Sequence, residues 1–506
     1  MAFELDTLSY TLLLTIIGIA ALLSARNSKS PDIHPLLLNA QSDVSRLRHP
    51  GESAVYRSRL YPIGTPLCST FDRDIHTMAD FYKTGDHVAK RIDLVYKGLR
   101  SIAKLIPQTR DENSFVGIYA TNSYYTVLTG IACHMYGLVT VPISAYASIT
   151  HLFNVLQKTS LKVLVIDSSL LPNVLNAIGN DSNLKHIIVI GDVSNLYKKE
   201  AQVVGIELVS FAELEEYGAN KKYEDILVVP NDMASIYFSS LNEKESKRGV
   251  VLTHKNLLSN IYSILGYVLI AAISFLGGSV VLGPEIDYSN NVDVAFFLSD
   301  IAQNKPTIFA SGSWFLEQVK HLISSRYGKS FLFKRGYDVK REYLEEGRLI
   351  NDCKYDMLVF RSIRQTLFGG NLHLIYIDND DNTDLILTTF LRIVLSTQVI
   401  QTFNLPETTS SIAASMFYDY STIPEARGAP LPSNEIKLID LKERSFTAED
   451  KPNPRGEIWV RGNNVFDCYY KDEQTNSNVF DSNNWFMTGY IGEFLPNGTL
   501  KVLGKK

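Results

Sequence analysis

Residues 237–254 read YFSSLNEKESKRGVVLTH. The stretch opens on Tyr237 and Phe238 and closes on Gly249-Val250-Val251-Leu252-Thr253-His254; residues 239–247 between them contain no glycine. A loop that cradles phosphate turns backbone amides inward, and successive glycines permit that turn. From Ser239 to Lys247 the chain instead carries Glu243 and Glu245, negative charge where phosphates would lie. The segment reads as a solvated acidic–basic turn. A working phosphate loop, with Lys247 or Arg248 as its cation, is the alternative.

Outward from this stretch the chain alternates between two periodicities. His87 to Leu105 and Tyr124 to Tyr136 carry helical patterns, and Phe115–Tyr119, Val139–Pro142, Leu161–Ile166 and His186–Ile190 are short apolar runs. Strands alternating with helices predict an α/β fold with a parallel, covered sheet. No internal repeat is evident. The acidic run Asp378-Asn379-Asp380-Asp381-Asn382 starts like a calcium loop, but Thr383 replaces the required glycine and Thr389 the bidentate glutamate, so it reads as a solvated turn.

Composition excludes several classes. A net charge of −5 over 506 residues carries no nucleic-acid footprint. Cys68, Cys133, Cys353 and Cys468 are scattered without metal-ligand or disulfide spacing, which fits a reducing cytosol. The 27 Tyr and 24 Phe favour a large buried core.

Thr7 to Ala25 holds no charge over 19 residues, close to the ~20 that cross a bilayer. Glu4 and Asp6 precede it, whereas a secretory signal starts basic; a cleaved signal is the alternative. Arg26 and Lys29 follow, so the positive-inside rule places the bulk of the chain in the cytosol, most simply at the endoplasmic reticulum. A second uncharged stretch, Asn256 to Pro284, is read as a buried helix to about Ile270, a turn at Gly277-Gly278, and a strand from about Ser279 to Leu282; a membrane span is the alternative.

Several ordered pieces carry a resemblance. They are the tail GVVLTH, Phe115–Ala145, Lys305-Pro306-Thr307, Glu342–Arg348 with Asp356–Phe360, QTFNLPET at Gln401–Thr408, GAPLPSNEIKL at Gly428–Leu438, RGEIWVRG at Arg455–Gly462 and WFMTGYIGEFLPNGTLK at Trp485–Lys501. Together they resemble the long-chain fatty acyl-CoA synthetases of the adenylate-forming superfamily. The resemblance implies an adenylate-forming large N-terminal domain behind a transmembrane helix, divided as 1–30 membrane anchor, 31–87 juxtamembrane lead-in, 88–490 large domain and 491–506 stub of a hinge. It also implies a two-step reaction: fatty acid and ATP, with Mg²⁺, form an acyl-adenylate, and coenzyme A then displaces AMP.

The resemblance further assigns nucleotide contacts to Tyr237, Ser239, Phe403, Thr488 and Gly489, with Phe403 stacking the adenine and Glu407 holding the metal. The chain departs from the family pattern at these places. Thr402 and Asn404 replace glycines, and Pro406 removes a hydroxyl and a backbone donor. Asp378–Asp381 stand where the family keeps small residues, and Asp287 falls on a family histidine. Tyr490 replaces the aspartate that accepts the ribose hydroxyls, and a phenol makes one such bond rather than a charged pair. Gly504 and Lys505 replace the hinge pair, and the family's C-terminal lid is expected to be missing. The expectation is a membrane-anchored relative with impaired fatty acid activation and doubtful ATP and Mg binding. Fatty acid, acyl-CoA or an active synthetase are its expected partners. The alternative is an active or conditional ligase.

Overall fold

In this computed structural model the described residues are 10–18, 30–46, 48–70, 75–82, 89–178, 183–224, 226–238, 248–261, 279–283, 294–378, 385–420, 423 and 426–506. Three sheets organise them.

The first sheet has eight strands, in spatial order Cys468–Tyr469, Gly249–Thr253, Met233–Phe238, Val139–Ile143, Phe115–Tyr119, Val163–Asp167, His186–Ile190 and Glu207–Ser210. From Met233–Phe238 to the last strand all neighbours run parallel. Gly249–Thr253 and Cys468–Tyr469 close the other edge antiparallel. Alternation explains why the interior strands read as continuous apolar runs. Val163 and Val165 enter one core and Leu164 and Ile166 the other, so both faces are covered. One covering layer pairs helix Ala89–Ala103 with helix Phe211–Ala219. The two approach so closely that a Cβ on Gly218 would lie 2.0 Å from the Leu94 carbonyl oxygen.

The second sheet orders Ile308–Gly312, Leu374–Asp378, Gln398–Leu405, Ser410–Ala414 and Ala429–Pro430, parallel across the first three and antiparallel thereafter. The third is antiparallel: Ser42–Val44, Tyr56–Ser58, Asn434–Ile439, Arg455–Gly462, Phe486–Phe494 and Leu500–Lys505. Its first two strands come from the polar segment 31–87, in which the sequence suggested no element. They hold because Arg57, 5% exposed, donates to the carbonyls of Pro62 and Thr65 at 3.1 and 2.9 Å, and because the Gln41 N–H reaches the Asn497 carbonyl at 2.7 Å.

The four parallel strands appear where the apolar runs put them, to within two residues at the ends. Two expectations are not borne out. Among the described residues no helix is long and apolar enough to cross a membrane, so the predicted transmembrane helix is not borne out. Of Thr7–Ala25, residues 10–18 are described and helical, and residues 7–9 and 19–25 lie outside the described residues. The strand expected at Ser279–Leu282 is not found: residues 279–283 form no strand, and Val281 is 62% exposed. The helix expected from Asn256 is present as His254–Ile261, and the rest of that stretch to Gly278 lies outside the described residues.

Candidate functional site

The sequence motifs converge where the first sheet's hairpin meets the second and third sheets. The hairpin aligns Tyr237 with Val250, and Val250 with Tyr469 on the edge strand. Strand alternation separates the neighbouring tyrosines Tyr469 and Tyr470. Tyr470 packs edge-on against Phe115 at 5.5 Å, while Tyr469 joins the cluster of Val250, Leu252, Phe403 and Leu405.

Glu407 sits in the 3-10 turn Pro406–Thr408 that ends strand Gln398–Leu405. The Tyr469 hydroxyl donates to its Oε1 at 2.9 Å. Burial, reinforced by the negative charge of Glu407, pushes the Tyr469 phenol well above its ordinary range, so it keeps its proton. The Arg248 guanidinium lies 5.6 Å from the centre of the Tyr469 ring, with its Nε 3.9 Å from Asp472. The turn itself is fastened by amides. Asn260 and Asn464 donate to the Thr408 carbonyl at 3.3 and 3.1 Å, and Thr409 donates to the Asn464 carbonyl at 2.6 Å.

Phe403 is 6% exposed, and its ring meets Tyr490 edge-to-face, 5.3 Å apart at 70°. Tyr490 is paired with Lys505 across the third sheet, and the Lys505 ammonium stands 5.3 Å from its ring. The face that the resemblance offers to an adenine is therefore part of a packed aromatic pair. Thr488 spends its hydroxyl inside the strand, donating to the Ile458 carbonyl at 2.7 Å and accepting the Tyr490 N–H at 3.1 Å. Gly489 turns at φ +71°, a conformation glycine adopts without strain, and accepts the Lys506 N–H at 2.8 Å.

The residues that replace the motif's glycines make their own polar cluster. Thr402 shares a 2.8 Å hydrogen bond with the Tyr376 hydroxyl, which lies 3.3 Å from Ser411, and Ser411 donates to Asn404 Oδ1 at 2.7 Å. Tyr376, Thr402 and Ser411 are at most 2% exposed. Buried hydroxyls this well matched fix the motif's backbone with side chains in place of glycine freedom.

Tyr237, Phe403, Glu407, Thr488 and Gly489 all fall on the elements of this region. Ser239, the loop 239–247, Asp287 and residues 379–384 lie outside the described residues. Sequence reasoning missed Tyr469, Tyr376 and Asn464. Tyr469 carried one usable signal, its place in a two-tyrosine strand end; Tyr376 and Asn464 carried none. Among the described residues the donor set fits Mg²⁺ poorly. It offers one carboxylate, one of whose oxygens is taken by a phenol, with a guanidinium against the same ring. Among the described residues no group of three or more His, Cys, Asp or Glu side chains converges.

The parallel sheet with its hairpin edge, and the gathering of these motifs at one seam, define an adenylate-forming fold. A model of the family described as AMP-binding enzyme matches residues 83–470, and the chain belongs to that family. Within it the chain is similar to long-chain acyl-CoA synthetases. It is 28% identical over 418 residues to the peroxisomal long chain acyl-CoA synthetase 7 of Arabidopsis thaliana, covering 78% of this chain and 58% of that protein. It is 27% identical over 503 residues to long-chain-fatty-acid–CoA ligase 1 of Cavia porcellus, covering 90% and 70%. The chain thus spans a little over half the length of the plant relative. Among solved structures, a long-chain-fatty-acid-CoA ligase from Archaeoglobus fulgidus shares the fold with a TM-score of 0.59 at 18% identity, over 88% of this chain and 86% of that one. An anthranilate CoA ligase in complex with anthranoyl-AMP does so with a TM-score of 0.63 at 15% identity, over 86% and 79%.

Proposed function

We propose that this chain is a membrane-associated long-chain fatty acyl-CoA synthetase-like protein in which ATP-dependent activation of the fatty acid is impaired. The observation that carries the reading is the Phe403–Tyr490 pair. A ring 6% exposed and closed edge-on by a second ring offers no open face for adenine, and the second ring replaces the family's ribose acceptor. The internal use of the Thr488 hydroxyl and the Tyr469 bond to Glu407 support it. Catalysis of acyl-adenylate formation needs preorganised charge at the phosphates. Glu243 and Glu245 oppose such charge in the loop. Relatives named as long-chain acyl-CoA synthetases support fatty acid or acyl-CoA as the ligand class, with an active synthetase as a partner. The apolar helix at 10–18, where Leu12 and Leu14 are 61% and 67% exposed, supports attachment to a membrane, with the endoplasmic reticulum as the proposed site.

The test is ATP binding with Mg²⁺ by calorimetry on the full chain in detergent. Absence of saturable binding at millimolar ATP is the expected result. Saturable binding below about 100 μM, roughly −5.5 kcal/mol, overturns the reading in favour of an active ligase.

A further inference from the structure

Outside the nucleotide motifs, two packed elements present apolar side chains to solvent. Phe331 and Leu332 begin helix Phe331–Glu345 and are 78% and 43% exposed. Met357 and Leu358, in the π-helical turn Asp356–Phe360, are 70% and 62% exposed. The elements are locked together. Phe333 packs on Phe360 at 5.4 Å, a Cβ on Gly336 would stand 2.8 Å from both Phe360 and Tyr355, and buried Lys340 bonds Asp356 at 2.8 Å. The exposed tips therefore belong to one rigid unit.

The charge beside these tips is mainly positive, with Asp352 the exposed acid nearest to Met357 along the chain. Arg326, Lys329, Lys334 and Arg335 bracket Phe331 and Leu332; Lys354 and Arg361 bracket Met357 and Leu358. All six are exposed, and none pairs with a carboxylate among the described residues. Residues 326–335 contain no Asp or Glu, in a chain whose net charge is −5. The one acid within 354–361, Asp356, is consumed internally by Lys340 and Arg364. Tyr327 and Tyr355 stand under Arg326 and Lys354 at 5.7 and 5.1 Å.

We propose that this unit, residues 326–335 with 354–361, docks on an anionic lipid bilayer. Apolar tips would enter the boundary between headgroups and acyl chains, and the six cations would meet lipid phosphates and carboxylates. Two features favour a lipid surface over a protein. The core of a protein interface is depleted in charge and in lysine, whereas each apolar pair here is bracketed by unpaired cations. A nucleic acid backbone would use the cations and leave Phe331, Met357 and Leu358 unanswered. The contact is independent of the N-terminal stretch and would set the orientation of the domain on the membrane.

The experiment places an environment-sensitive dye on full-length protein at Phe331→Cys, at Met357→Cys and, as control, at Val203→Cys, which is 86% exposed in the parent. Labelled parental chain serves as the blank, because Cys68, Cys133 and Cys353 are buried and Cys468 is half-buried. Vesicles of phosphatidylcholine, with or without phosphatidylserine, are then added. The expected result is a blue shift at 331 and 357, and none at 203, on phosphatidylserine vesicles, with apparent affinity lowered at least tenfold by K329E/K334E/R335E. Circular dichroism on that variant verifies its fold. No shift at 331 and 357, an equal shift at 203, or a shift indifferent to phosphatidylserine and to the charge reversals overturns the proposal. A shift that develops without vesicles as protein concentration rises does so too, and assigns the patch to self-association.

Discussion

The Tyr469 hydroxyl donates to Glu407 Oε1 at 2.9 Å, joining the edge of the first sheet to the turn that closes the motif strand of the second. The bond occupies the carboxylate that the family resemblance reserves for a metal, and it is a tertiary contact between residues 62 positions apart.

A hydrogen bond from a phenol to a half-buried carboxylate contributes about 1.5–3 kcal/mol. Tyr469→Phe is expected to lower unfolding free energy within or just below that range. In a double-mutant cycle with Glu407→Gln the two changes should couple by about 1 kcal/mol or more. Urea denaturation of the four proteins measures it, and strict additivity would show that the bond is not formed in solution.

Tyr490→Asp is expected to change the site in two ways. It removes the edge-to-face contact with Phe403, worth about 0.5–1.5 kcal/mol beyond area, so the midpoint of thermal unfolding should fall. It also restores a charged acceptor for paired hydroxyls, so ATP or AMP affinity should rise rather than fall. Calorimetric titration of both proteins decides. A variant that loses stability without gaining nucleotide affinity would place the obstruction elsewhere, in the glycine-free loop.

His134 and His254 are buried with ring centres 6.0 Å apart. Burial lowers both, His134 further through the neighbouring His254, to about 3 for His134 and about 4 for His254, against an ordinary 6.5. Between pH 6.5 and 4 the unfolded chain binds protons that the folded chain does not, so stability rises with pH across that window. It is fully present above about 6.5 and declines as pH falls through 4. Each histidine contributes on the order of 3 kcal/mol to the decline. His254→Asn should flatten the pH dependence by roughly one proton; unfolding midpoints from pH 7.5 to 4.5 measure it.

Asp356, 1% exposed, is the anion that pairs with both Lys340 and Arg364, at 2.8 and 2.6 Å, with Cys353 donating to its other oxygen at 3.1 Å. Asp356→Asn leaves buried Lys340 and part-buried Arg364 without their counter-charge and is expected to cost about 3–5 kcal/mol. Lys340→Met leaves the Arg364–Asp356 pair intact and should cost clearly less. The order of the two variants in chemical denaturation tests the arrangement, and the reverse order would refute it.

Much of the scaffold was legible in the sequence because strands buried on both faces read as apolar runs wherever they sit. Phe115–Tyr119 and His186–Ile190 have the ends that the runs predict. The failures share a cause. Ser42–Val44 and Tyr56–Ser58 are short strands in a polar segment, held by Arg57 and by bonds to residues about 400 positions away, and no local pattern records such partners. Val280-Val281-Leu282 shows the converse, an apolar run that forms no strand, because β-propensity depends on the neighbours against which a strand packs.

By itself the amino-acid sequence determined the superfamily and the places where its nucleotide motifs depart from pattern. Motif wording and strand periodicity are local properties of the chain. The tertiary structure alone decided what the departures do: that Tyr490 closes over Phe403, that Tyr469 engages Glu407, and that Thr402 and Asn404 are answered by Tyr376 and Ser411. Each is a contact between different strands or turns, from seven positions apart for Asn404 and Ser411 to 87 for Phe403 and Tyr490. Its existence depends on sheet register and strand facing, which are set only when the elements pack.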